Sequence, residues 1–190
     1  EGQLITDEKE VERVNPFDWQ KAFPQVFKAG GFDAVIGNPP YIRVRIYKEF
    51  YPNESKYIES KYHCARNIWD IYLIFYEKAI DLLNQSGFAS FIIPIQTLHQ
   101  PNCESLRNIL IKDTSIISIA DLSKLRVFKD VTVKNCVITV NKNNYENNNI
   151  KIFHPSDPNE LFQDPIRSWS QSVTFFNPGL SLKLDLLSNK

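Results

Sequence analysis

The sequence predicts an α/β domain built on a parallel sheet that ends in an antiparallel hairpin. Residues 32–37 and Phe88–Pro94 are short apolar runs bounded by turn residues. The second has the continuous apolar character of a strand covered on both faces. Apolar residues recur at helical spacing between and after these runs, and such alternation of strand and helix calls for parallel pairing. A chain of 190 residues, 43% of them hydrophobic, is enough for one respectable core, so one domain is expected.

Residues 1–16 are charged and lack strong periodicity. Asn15-Pro16-Phe17-Asp18-Trp19 opens an apolar-aromatic segment running to Phe27, expected to pack a helical turn or two on the sheet edge. Gly30-Gly31 breaks the chain before the strand at 32–37. After the turn at 38–41, periodicity disappears from Ile42 to Arg66, which predicts a long loop of the kind that serves as a functional lid. Asn67 is placed as the N-cap of a helix, with Asp70 three residues on at the positive end of the dipole. Ile68, Tyr72, Phe75, Ala79, Leu82 and Leu83 mark its apolar stripe, and Gln85-Ser86-Gly87 its end. The strand Phe88–Pro94 follows, then a helix over 105–112 with Leu106, Ile109 and Leu110 inward, and a strand over 116–122. Residues 125–130 form a loop carrying the single large ring of Phe128. The strand 133–140, the Asn-rich turn 141–149 and residues 150–153 read as the closing hairpin. Beyond Pro155, prolines at 155, 158, 165 and 178 dissolve the pattern into a linker, with helix resuming at 180–187.

Composition narrows the class. Lys+Arg and Asp+Glu balance at 22 each, so any basic footprint for nucleic acid must be local. Cys64, Cys103 and Cys136 are odd in number and scattered, which argues for a reduced cytoplasmic compartment and against a disulfide framework. His63, His99 and His154 are equally dispersed, and adjacent His63-Cys64 is a poor zinc pair, so no metal site is expected. No signal peptide, membrane-spanning run or repeat is visible. The chain starts at Glu1 and contains no methionine, so it is expected to be a piece of a longer protein.

The richest chemistry lies where the first strand empties into Asn38-Pro39-Pro40-Tyr41. The two prolines fix φ, carry no N–H and push the residue before each toward extended geometry, which stiffens the turn. The Asn38 side-chain carbonyl and the Pro39 backbone carbonyl are two acceptors able to converge on one donor such as an exocyclic amine. Tyr41 adds a flat face suited to a heteroaromatic ring. A competing reading makes this a rigid turn whose Asn caps a neighbouring helix. In the following stretch Arg43, Arg45, Lys48, Lys56, Lys61 and Arg66 face only Glu49, Glu54 and Glu59, with Tyr47, Tyr51, Tyr57 and Tyr62 interleaved. Taken alone this suits a solvated loop anchored by tyrosines. Directly after Asn-Pro-Pro-Tyr it favours phosphate contact and base stacking, with Arg43 and Arg45 as candidate nucleic-acid contacts.

These four residues resemble the catalytic motif of S-adenosylmethionine-dependent amino-methyltransferases. The order of the pieces that follow is more specific: a basic-aromatic stretch, Trp69-Asp70-Ile71-Tyr72, Gly87 to Pro94, Leu106-Arg107, Val127-Phe128 and 133–140. Over residues 15–153 it resembles the N6-adenine DNA methyltransferases of the gamma motif order, in particular the methyltransferase regions of bacterial type II restriction-modification fusion enzymes. The resemblance implies that the chain is the C-terminal half of a doubly wound, Rossmann-like methyltransferase sheet. Residues 1–154 would be a partial catalytic domain and 155–190 a linker toward a target-recognition domain. It implies catalytic roles for Asn38, Pro39 and Tyr41, stacking of a flipped-out adenine on Tyr41 and Phe128, and contact of Asn38 and Phe75 with the cofactor. Phe75 also lies on the apolar stripe of its helix, so a core role competes. The expected cofactor is S-adenosylmethionine and the expected partner double-stranded DNA, with no membrane. The six glycines form no glycine-rich cofactor turn, so most of that pocket is expected before Glu1 and the piece alone is expected to be inactive. No nuclease signature is evident. The competing classes are a protein-glutamine or RNA amino-methyltransferase and a non-catalytic DNA-binding module.

Overall fold

The computed structural model describes residues 16–128, 133–143, 148–162 and 167–170. Two short helices, α1 (Trp19–Ala22) and α2 (Pro24–Lys28), precede β1 (Phe32–Gly37). Asp18 caps α1 by accepting from the Lys21 N–H at 3.0 Å. Trp19, Phe23 and Phe27 each set a ring against Phe32, 5.3–5.9 Å between centroids, and so seat the pair on the start of β1 as expected.

Six strands form one sheet in the order β1-β2-β4-β3-β5-β6, with β2 at Leu83–Pro94, β3 at Ser115–Asp121, β4 at Asn135–Asn141, β5 at Asn149–Phe153 and β6 at Arg167–Ser170. Strand β1 is parallel to β2, and β3 is parallel to β5. Strand β4 runs antiparallel between β2 and β3, so β1, β2, β3 and β5 share one direction. Helices α5 (Ile71–Leu82) and α6 (Glu104–Lys112) supply the crossovers and pack on β2 and β3 respectively. Ala89, Phe91 and Ile93 of β2, Ile138 and Val140 of β4 and Ile116 and Ile119 of β3 bury against Leu73, Tyr76, Ile80, Leu106 and Leu110.

Several expectations need correction. The antiparallel hairpin exists one element earlier than expected: β4 folds back along β3, and β5 pairs with the far side of β3 in parallel. Short, Asn-rich connections suggest hairpins, but they do not say which edge the next strand joins. The stretch 42–66 is not an irregular loop but two helices, α3 (Val44–Phe50) and α4 (Pro52–Lys61), the latter started by a proline in its first turn. Asn67 is no N-cap. It adopts φ 60°, a left-handed conformation that Asn tolerates better than most residues, and α5 begins only after Asp70. The delay arises because residues 69–71 first run extended beside 42–44: the Val44 N–H donates to the Trp69 carbonyl at 2.8 Å and the Ile71 N–H to the Ile42 carbonyl at 2.9 Å.

Residues 85–87 do not separate helix from strand. Leu83 already pairs with Phe32, and an irregularity in the β1–β2 register absorbs them. Phe88–Pro94 is not covered on both faces among the described residues, because α5 and α6 lie on one face together; Phe88 on the other is 45% exposed. Within the stretch read as linker, Arg167–Ser170 pairs antiparallel with β5. The charged residues 1–15 and the helix expected at 180–187 lie outside the described residues.

Gly31 is required where it stands. Its φ is +127°, and a Cβ there would come within 2.6 Å of the Leu82 carbonyl oxygen and the Leu83 carbonyl carbon. This close passage lets the chain enter β1 directly beside the end of α5.

Candidate functional site

The Asn-Pro-Pro turn leaves β1 at the carboxyl edge of the sheet, where ligands of open α/β sheets bind. Gly37, the last residue of β1, lies against the Phe91 ring; a Cβ there would stand 2.9 Å from it. That contact sets the height from which Asn38 projects. Pro39 is buried and wedges the turn, while Asn38 and Pro40 are exposed. The Asn38 side chain makes no hydrogen bond to the described residues, and neither α3 nor α5 has a side-chain cap. The helix-cap alternative for Asn38 therefore falls away.

Tyr41 turns inward. Its hydroxyl donates to the Ile92 carbonyl of β2 at 2.9 Å and accepts from Asn135 Nδ2 of β4 at 3.0 Å. Its ring meets Tyr72 of α5 edge to face at 5.8 Å and 77°. Burial pushes the phenol up to about 12, with the Asn135 hydrogen bond acting in the opposite direction, so the group is a neutral donor at physiological pH. Behind it, Thr97 donates to the Tyr72 hydroxyl at 3.0 Å, and that hydroxyl lies 3.4 Å from Cys103 Sγ. Arg107, only 1% exposed, donates from Nη1 to the Thr97 and Gln100 carbonyls at 2.8 and 2.7 Å. A buried cation thus holds the single-turn helix Ile95–Leu98 and the stretch after it at the end of β2.

The connection from β3 to β4 leaves from the same edge. The Leu122 N–H donates to the Asn135 carbonyl at 3.0 Å, the chain turns at Leu125, and Phe128 follows half-buried. Residues 129–132 lie outside the described residues. Topology therefore brings Asn38, Pro39, Tyr41 and the Phe128 connection to one edge of the sheet. Phe75 is 47% exposed while Tyr72 and Tyr76 on the same helix are buried, which removes the core alternative for Phe75.

The basic-aromatic helices divide their side chains. Tyr47 packs on Trp69 with centroids 6.0 Å apart, and Tyr62 is half-buried. Tyr51 and Tyr57 are exposed, as are Arg43 and Arg45. Burial pushes the Asp70 carboxyl up, and Arg43 opposite it works the other way. Trp69 Nε1 donates to Glu59 at 3.1 Å, and Glu59 pairs with Lys48 at 2.6 Å, which binds α3, α4 and the approach to α5 together.

Glu77, absent from the sequence reading, anchors the same region from below. Its buried carboxylate accepts from the Cys64 N–H at 2.8 Å and the His63 N–H at 2.9 Å, with His63 Nδ1 at 3.0 Å. Burial alone would raise its pKa, but the two backbone N–H groups and His63 leave it below the ordinary carboxylate value. The signal was present as an acid directly after the apolar run 71–76 of α5. Arg107 was similarly visible as a cation on the inward side of α6, where Ile109 is only half-buried.

Among the described residues no glycine-rich turn links a strand to a helix. No described helix is long and apolar enough to cross a membrane.

The sheet, with β4 antiparallel among parallel strands, shares its fold with a solved S-adenosylmethionine-dependent methyltransferase. A Listeria monocytogenes protein described as a class I methyltransferase of this kind superposes with a TM-score of 0.53 at 15% identity, covering 69% of this chain and 40% of that one. The DrdV–DNA complex gives 0.52 at 18% identity, covering 72% and 17%. The model of the Eco57I restriction-modification methylase family matches residues 2–128, and the chain belongs to that family. Among curated relatives, the type II restriction enzyme and methyltransferase RM.Eco57I of Escherichia coli is 26% identical over 74% of this chain and 13% of its own length. The type II methyltransferase M.HincII of Haemophilus influenzae is 30% identical over 62% and 24%. The chain thus spans a quarter or less of these relatives.

Proposed function

We propose that the chain is the substrate-holding part of a site-specific, adenine-N6 DNA methyltransferase within a longer cytoplasmic restriction-modification protein. Residues 1–154 would belong to its catalytic domain, with 155–190 leading toward a target-recognition domain. The observation that carries this reading is Asn38-Pro39-Pro40-Tyr41 at the carboxyl edge of β1, with the Asn38 amide exposed and without a hydrogen bond to the described residues, and Tyr41 fixed beside it.

Adenine's amino nitrogen is a poor nucleophile because its lone pair is delocalised into the ring. Asn38 Oδ1 and the Pro39 carbonyl would accept the two amino hydrogens, draw the nitrogen toward tetrahedral geometry and aim its lone pair. S-adenosylmethionine, with Asn38 and Phe75 contributing to its site, supplies an electrophilic methyl group. Such preorganised groups are commonly worth about 10²–10³ in rate each. The target base must leave the duplex to reach the turn, and Tyr41 and Phe128 would hold it there. Arg43 and Arg45 would contact phosphates.

The test is incubation of the full-length protein with labelled S-adenosylmethionine and mixed-sequence duplex DNA, followed by nucleoside analysis. Label in N6-methyladenine is expected. Label in protein, RNA or cytosine instead overturns the assignment.

A further inference from the structure

We infer that Asn135 is a positioning residue that holds both walls of the proposed base pocket at once; this rests on the methyltransferase reading above. Asn135 opens β4, is 2% exposed, and faces Pro94 across the β2–β4 ladder. Backbone groups alternate in direction along a strand, and the Asn135 carbonyl faces β3, so the bonds at this end of the β2–β4 ladder fall to neighbouring residues and the proline, which has no N–H, is tolerated. The Lys134 carbonyl accepts from the Ile95 N–H at 2.9 Å, tying β4 to the end of β2. The Asn135 carbonyl accepts from the Leu122 N–H at 3.0 Å, where β3 runs out toward Phe128. The Asn135 side chain donates to the Tyr41 hydroxyl at 3.0 Å, which itself donates to the Ile92 carbonyl at 2.9 Å. One residue therefore fixes the tip of the Tyr41 ring by its side chain and the root of the Phe128 connection by its backbone.

The Tyr41 phenol is tethered at its far end to two strands, so the ring cannot swing, and its hydroxyl has both a donor and an acceptor already engaged. Asn135 is 2% exposed and its side chain is engaged by the Tyr41 hydroxyl. Its effect on chemistry runs through the pose of Tyr41, and so belongs to capture of the extruded base rather than to methyl transfer itself.

The experiment uses the full-length protein, its methylated adenine first mapped, and a duplex carrying fluorescent 2-aminopurine at that position. Asn135→Ala, Tyr41→Phe and the double variant are compared for KM and kcat on the unmodified adenine duplex, and for the fluorescence rise on binding the 2-aminopurine duplex, which has no 6-amino group to accept methyl. Asn135→Ala, which loses one hydrogen bond to the hydroxyl, is expected to raise KM about tenfold, and Tyr41→Phe, which loses both, at least as much; each lowers the fluorescence rise, with kcat changed far less. The double variant is expected to be no worse than the Tyr41→Phe single. Multiplicative losses in the double variant, or wild-type KM and fluorescence in either single variant, overturn the inference. Should Asn135→Ala fail to fold, Tyr41→Phe alone still decides, since unchanged fluorescence in it removes the tether's role. A wild-type protein that methylates no DNA overturns the methyltransferase reading instead.

Discussion

Asn38 and Tyr41 sit three residues apart and behave oppositely: one is exposed without a hydrogen bond to the described residues, the other is bonded into two strands. An exposed amide at a stiff turn is poised to receive a ligand, whereas a tethered ring is a fixed wall. The residue types and their order were legible because prolines restrict geometry locally. The partners of Tyr41 were not, because Asn135 lies far along the chain and no local pattern reports a contact of that range. Phe75 shows the same limit: helical spacing put it on the apolar stripe, and only the packing of α5 turned it outward. Gly31 allows a residue-scale test. Gly31→Ala must force a left-handed φ on a Cβ that has no room, and is expected to lower stability by at least about 1–3 kcal/mol, read by denaturant unfolding.

Helices α3 and α4 are the elements whose existence the sequence concealed. Their apolar positions are few, and only Val44, Ser55 and Ile58 bury, so hydrophobic periodicity is weak. Glu59 ties them together through Lys48 and Trp69, and Glu77 holds the chain just after α4 through the His63 and Cys64 N–H groups. Glu77→Ala leaves two backbone N–H groups without their acceptor and is expected to cost about 1–3 kcal/mol, with faster amide exchange at residues 62–65. The carboxyl's native pKa is depressed from 4.5, so the stabilisation it provides is complete above the unfolded value and fades as pH falls through the lower folded one. Acid unfolding of Glu77→Gln should accordingly depend less on pH below 4.5 than that of the wild type. Binding by the exposed cations of this element is an electrostatic matter: Arg43→Ala and Arg45→Ala are each expected to reduce the slope of log K against log salt by about 1, without changing which base is methylated. Equal slopes in wild type and variants would remove them from the phosphate contacts. The misplaced hairpin belongs to this scale too, since β5 chose its partner by sheet topology rather than by its short connection to β4.

At the scale of the molecule, β1 is the edge of the sheet among the described residues, and Ile36 on it is 82% exposed. An open, apolar edge invites pairing with further strands. The α/β class was legible from alternation alone, and the direction of β1, β2 and β3 followed from their crossovers. The antiparallel insertion of β4 was not, because its sequence reads like any other strand. The chain spans 13% of RM.Eco57I, and no glycine-rich turn is present among its described residues. Residues 1–190 by themselves are therefore expected to transfer no methyl group under conditions in which the full-length protein does; activity of the piece would mean that the cofactor site is complete within it.

The central claim is that Asn38 orients the amine rather than holding the fold or the DNA. Its most direct test is the transfer of labelled methyl from S-adenosylmethionine to DNA by the full-length Asn38→Ala variant, with DNA affinity and thermal unfolding measured on the same sample. Methylation reduced at least about 10²-fold, with affinity and stability near the wild type, is the predicted result. Methylation at the wild-type rate would contradict it.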